Sequence, residues 1–203
     1  MVARRGTIAA MSTTADRLPF TGDDAADRYL VEEPLALLIG FALDQQVTVQ
    51  KAFAGPHELR RRLGHLDAAR IAALPAEDLD HVFRTPPAIH RFPSSMAAKV
   101  QALCAVVAER YDNDASRIWR EARDGRDLRD RLAGLPGFGA MKVSGTLAIL
   151  GKRLGVTVPG LAEVLPSHPT LGDVDSPEAL ARYQAGKRAA KADARAAKAT
   201  RQG

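Results

Sequence analysis

Apolar residues along this chain recur every three or four positions, the interval that puts them on one face of a helix. The longest such stripe is Met96, Val100, Leu103, Val107 and Tyr111, which predicts a helix from Pro93 to Tyr111. Upstream, a short helix is expected from Asp23 or Asp24, whose carboxylates suit a helix N-terminus. Pro34 then opens a second helix that buries Leu35, Leu38, Ile39, Ala42 and Leu43. Further helical segments are expected at 46–54, 56–63, 67–74 and 75–84, with Gly55-Pro56, Gly64 and Pro75 as the breaks between them. Two shorter helices follow near 114–122, with Asp114 as a cap, and near 126–133, with Leu128 and Leu132 inward. After Leu135-Pro136-Gly137-Phe138-Gly139 a helix resumes from Ala140 to about Leu154, and a loop is expected over 155–172. Ser176-Pro177-Glu178 combines a cap, a first-turn proline and an acidic first turn, so a last helix should begin there. No alternating pattern lasts beyond three or four residues, so the fold is expected to be all-α.

Composition refines this reading. The 203 residues, 46% of them hydrophobic, can bury a core without covalent support. Cys104 is the one cysteine, which excludes an intramolecular disulfide, a cysteine zinc site and an iron–sulfur cluster, and fits a reducing cytoplasm. No apolar run approaches the roughly 20 residues of a membrane span, and the stretch Met1 to Ala10 lacks the apolar core of a signal sequence. The 22 arginines against 7 lysines fit a GC-rich coding bias, hence a bacterial cytoplasm and, for a DNA-binding chain, its nucleoid.

Charge is unevenly placed. Residues 186–203 hold six basic side chains against Asp193, which accounts for the whole net charge of +5. Beyond Gly186 no side chain in this run is apolar and larger than alanine, so a solvated, frayed tail is expected, ordered only by an acidic partner. The expected organisation is a mobile segment at 1–20, a helical domain at 21–185 and a basic flexible tail at 186–203. A second asymmetry lies inside the domain. From Arg131 to Ala162 there is no acid at all, while Arg131, Lys142, Lys152 and Arg153 make the stretch +4, so a phosphate-facing surface is expected there.

The turn at 135–139 lies in that stretch. Its two glycines let the backbone approach a ligand, and the helix that follows directs its first N–H groups outward, an arrangement that binds phosphate. The same residues would also serve an ordinary tight turn between helices.

Helix, Leu135-Pro136-Gly137-Phe138-Gly139, helix resembles the helix-hairpin-helix of the base-excision DNA glycosylase superfamily. About 90 residues upstream, Leu43-Asp44-Gln45-Gln46-Val47-Thr48 resembles the Gln-Gln block of the 3-methyladenine DNA glycosylase II branch. The resemblance spans roughly residues 30–160. It implies a two-lobed helical fold of the helix-hairpin-helix/Gly-Pro-Asp type and DNA as partner. Pro136, Gly137, Phe138 and Gly139 would hold a DNA phosphate, with a bound monovalent cation at the hairpin. Lys142 would add charge, and Gln45 and Gln46 would lie at the DNA interface.

Two departures shape the expected chemistry. Lyase members carry a Schiff-base lysine where this chain has Met141, and Lys142 is turned about 100° further round the helix. Lyase activity is therefore not expected, and Met141 would form a wall of the pocket. The family's catalytic aspartate is also missing, since its window here reads Val158-Pro159-Gly160-Leu161. An ionised acid is needed to stabilise the cationic sugar or activate water, and Glu163, Asp173 and Asp44 are the candidates. His90-Arg91-Phe92 combines a titratable ring, a guanidinium and an aromatic face that could meet an everted base, or could pack as a hydrophobic staple. His57, His65, His81 and His168 show no metal-ligand spacing, and no small-molecule cofactor is expected. Three readings follow: a monofunctional DNA N-glycosylase, a DNA-binding protein that recognises lesions without cleaving, and a helical interaction module whose hairpin is only a turn.

Overall fold

The computed structural model describes the backbone of residues 14–200 and the side chains of 14–190, 192 and 193. Among these residues the chain is all-α. Helix α1 (Asp24–Glu32) is capped by Asp23, which accepts from the amides of Ala25 and Ala26. Helix α2 (Pro34–Leu43) is buried along nearly its whole length and forms the centre of the molecule. Helix α3 (Val49–Leu63) starts at Thr48, whose hydroxyl accepts from Lys51, and ends at Gly64 in the left-handed conformation.

The break expected at Gly55-Pro56 does not occur, and α3 runs straight through it. Gly55 has a packing role instead: a Cβ there would lie 2.4 Å from Leu43 Cδ1, and one on Gly40 would lie 2.5 Å from Phe53 Cδ1. Small residues bring α2 and α3 together, and the buried side chains of Ala52, Phe53 and Leu59 keep the helix intact across the proline.

Helices α4 (Ala68–Ala72) and α5 (Ala76–Arg84) pack on α6 (Pro93–Arg110), the longest stripe of the sequence pattern, and α6 packs on α2. Helices α7 (Arg117–Arg120), α8 (Gly125–Ala133), α9 (Ala140–Lys152) and α10 (Leu161–Val164) form a second group, with α8 against α7, α9 and α10. The groups meet where α2 touches α9, with the rings of Phe41 and Phe138 6.4 Å apart, and one continuous apolar core runs through both. The loop expected over 155–172 contains α10 and leads into a 3-10 turn, Leu171–Asp173, seated on α9. The last helix, α11 (Pro177–Thr200), begins where expected, and Ser176 Oγ accepts from the Ala179 amide.

Both expected terminal boundaries shift. Residues 1–13 lie outside the described residues, but the segment up to residue 20 does not behave as a mobile arm. Leu18 and Phe20 are fully buried, and the Asp27 carboxylate accepts from the amides of Phe20 and Thr21 and from the Thr21 hydroxyl. Two apolar side chains in a polar run were too few to register as a period, yet they close the end of the core. At the other terminus, the tail expected to fray is helical through Thr200. Alanine has the strongest helix propensity of any residue, and it fills much of this stretch.

Candidate functional site

A cleft of about 420 Å³ opens where the end of α2, the start of α9, the 168–171 segment and α11 converge. Its walls include Asp44, Gln46, Met141, Lys142, Tyr183 and Lys187. The Gln-Gln block and the hairpin, far apart in sequence, are thus brought to one opening. Lys142 ties the start of α9 to the end of α2 just before the block, because its Nζ donates to the carbonyl of Ala42 at 3.1 Å.

The hairpin consists of α8, the turn at 134–139 and α9. Gly137 has a φ of 77°, which a β-branched residue would adopt only with strain, and space is open where a Cβ would sit on Gly137 or Gly139. Gly139 caps α9 without any side-chain hydrogen bond, leaving the N-terminus of the helix uncapped. Phe138 does not belong to a contact surface: its ring is buried against Phe41, and its amide donates to the Leu135 carbonyl at 3.1 Å. It anchors the turn to the core. A monovalent cation would have to use the carbonyls of this turn, where Leu135 already accepts from Phe138 and no carboxylate is present.

The three candidate acids fall in three different environments. Asp44 ends α2 and lines the cleft. Burial pushes its carboxyl above the usual carboxylate range, with Lys187 and Lys142 drawing it back. Asp173 is exposed and committed elsewhere: it takes Lys152 Nζ at 2.6 Å and accepts from the Thr170 amide and hydroxyl in a capping box. Burial raises its carboxyl, but these bonds outweigh it and hold the group below its ordinary range. Glu163 is 68% exposed, faces Arg126 at 3.9 Å and lines a separate depression with Asp124 and Gly160. The window in which the resemblance places an acid is a turn folded onto α8, where the Gly125 amide donates to the Pro159 carbonyl at 2.8 Å.

Lys142 is half-buried, and burial lowers its ammonium from the ordinary lysine value while Asp44 opposes the shift. Tyr183 is held above its ordinary value by burial and by the charges of Asp44 and Asp173. The Lys187 Nζ sits 5.4 Å from the centre of the Tyr183 ring. The cleft therefore gathers one carboxylate, two ammonium groups and a phenol within a partly water-excluded wall. Among the described residues no group of three or more His, Cys, Asp and Glu side chains gathers as a metal-ion site.

The His90-Arg91-Phe92 group lies outside this cleft. His90 is buried; its Nε2 meets the Gln45 carbonyl at 3.1 Å and its Nδ1 accepts from the Phe92 amide at 3.0 Å, which requires the proton on Nε2. Burial keeps the ring neutral by lowering its pKa. His90 is thus a clamp joining two loops rather than a base-contacting group. Phe92 is 40% exposed, with the Arg91 guanidinium 4.7 Å from its ring centre, and neither side chain lines the cleft. Gln45 is exposed and receives Lys99 Nζ on its side-chain oxygen at 2.5 Å. Met141 does line the cleft, as expected, but as an exposed lip rather than an inner wall.

No known protein family, curated protein or solved structure matches the chain. Sequence reasoning missed Tyr183 and Lys187 as cleft residues. Their available signal was a tyrosine on the inner face of the last helix, one turn before a basic run.

Proposed function

We propose that this chain is a two-lobed helix-hairpin-helix protein that binds DNA, everts one nucleotide into the cleft and hydrolyses its N-glycosidic bond. The observation that carries the reading is the meeting of Asp44 with Lys142 and the uncapped start of α9 at one cleft. A volume of about 420 Å³ lies within the ordinary range for small-molecule pockets and suits a nucleoside-sized guest. The amides following Gly139, with Lys142 and Lys187, would hold phosphate while the nucleotide turns inward. Asp44, ionised beside the two lysines, would stabilise positive charge on the sugar or accept a proton from water. The C1′–N bond then breaks with its electron pair leaving on the base. Water oxygen bonds C1′, and the products are a free base and an abasic site. No step of this sequence uses the amine of Lys142 as a nucleophile.

The test is abasic-site formation on labelled oligonucleotides that each carry one modified base, with alkali to cut the product. Strand scission only after alkali is expected. Asp44→Asn should lower it by roughly 10² to 10⁴-fold with DNA affinity retained, whereas Asp173→Asn and Glu163→Gln should cleave normally. The missing acid at 158–161 favours a second reading, a lesion-binding protein without catalysis. Salt-sensitive binding with no product on the whole panel would select it.

A further inference from the structure

We infer that one face of α11, starting at Lys187 on the rim of the cleft, forms a straight cationic track along which a nucleic-acid strand leaves the site. The inference rests on the DNA reading of the cleft and adds a second contact surface to it. Positions 187, 191, 195 and 198 are spaced by four, four and three, so the helical backbone places them on one face, and all four are lysine or arginine. Position 193, the acid of this stretch, falls on the opposite face together with Ala189, Ala196 and Thr200. The track spans about 16 Å at a rise of about 1.5 Å per residue, which is the length of about five stacked base pairs at about 3.4 Å each.

Three features commit the track to a phosphate backbone. Its first cation is itself a cleft residue, since Lys187 lines the opening beside Tyr183 and Asp44, so charge continues without a gap from site to helix. The helix contributes no apolar side chain larger than alanine after Gly186, which denies it the buried face that a membrane-surface helix requires. The start of α11 packs on the 3-10 turn, and the reciprocal amide pair Gln50–Gln184, at 2.9 and 3.5 Å, ties its second turn to α3. The helix therefore leaves the cleft from an anchored start, with Ala179 and Leu180 buried.

The experiment measures DNA binding by the full-length protein across a salt series, using duplexes of increasing length that carry one abasic-site analogue. Two variants accompany the wild type. K191A/R195A/K198A removes the track and keeps the helix. A second variant adds A189K/A196K/T200K to it, restoring the net charge on the opposite face. The wild-type slope of log affinity against log salt should flatten by roughly 2.7 in the first variant, at about 0.9 per lost phosphate contact. The second variant should not recover it. Affinity should also keep rising with about five base pairs added beyond the cleft, and only in the wild type. Full recovery by the opposite-face variant overturns the track, as does an unchanged slope in the first variant. A wild type that shows no salt-dependent DNA binding would instead sink the reading of the cleft. Loss of poly-glutamate binding in the first variant, with DNA binding untouched, would reassign the face to an acidic protein.

Discussion

Asp44 has two obligations that conflict. As the cap at the end of a buried helix it is desolvated, and as a cleft carboxylate it must ionise for the chemistry proposed. Burial raises its pKa, so the folded state prefers the protonated form more than the unfolded chain does. Below the ordinary aspartate value, about 4, both states are protonated and no cost arises. The cost grows as pH rises from that value towards the raised folded one, and above the folded value it stays at its full size. Asp44→Asn should therefore raise the melting temperature at pH 7 and leave it unchanged near pH 3. A thermal melt series from pH 3 to 8 checks this, and a variant less stable than wild type at neutral pH would show that the lysines more than compensate for burial. Stability gained where activity is lost is the usual mark of a site residue. Buried Cys104, whose thiol is pushed up to about 12, has no comparable conflict and is an inert core residue.

Among elements, the hairpin and the 3-10 turn both depend on glycine for different reasons, and this separates binding from folding. Gly137 has positive φ and open space around it, so Gly137→Val strains the backbone by about 1–2 kcal/mol without a clash. DNA affinity at fixed salt should fall severalfold as the turn deforms. Gly172 sits against α9, where a Cβ would lie 2.5 Å from the carbonyl carbon of Ala148 and 2.7 Å from its oxygen. Backbone cannot move aside as a side chain can, so Gly172→Ala should cost about 1–3 kcal/mol. Urea titrations would rank the two, and a greater stability loss at 137 than at 172 would contradict this assignment. The sequence pattern located both glycines but not their difference: Gly137 stood in a turn motif, whereas Gly172 was an ordinary loop residue until α9 lay beneath it.

For the whole molecule, the net charge of +5 understates the asymmetry. The globular part is nearly neutral, and the cationic surplus sits beyond Gly186. Removing residues 188–203 should leave the melting temperature within a few degrees, because Ala179 and Leu180, the buried anchors of α11, precede the cut. A large drop would mean that residues 188–203 help to hold the core. The cleft forms where two groups of helices meet, so its two walls are held by a single core that passes through the α2–α9 contact.

Periodicity alone determined the all-α class, the long α6, the helix–turn–helix around 135–139 and the start of α11, because each is decided within a dozen residues by spacing, caps and proline. It misread Gly55-Pro56 as a break and included 14–20 in a mobile segment at 1–20, since packing against α2 and burial of Leu18 and Phe20 depend on residues distant in the chain. The candidate acids were visible in the sequence as a set of three. Only tertiary structure separated them, by giving Asp173 to Lys152 and a turn, Glu163 to an exposed edge and Asp44 to the cleft. It also removed His90 and Phe138 from the surface and brought in Tyr183 and Lys187. Burial and ion pairing are properties of neighbours in space, and one-dimensional order does not specify them.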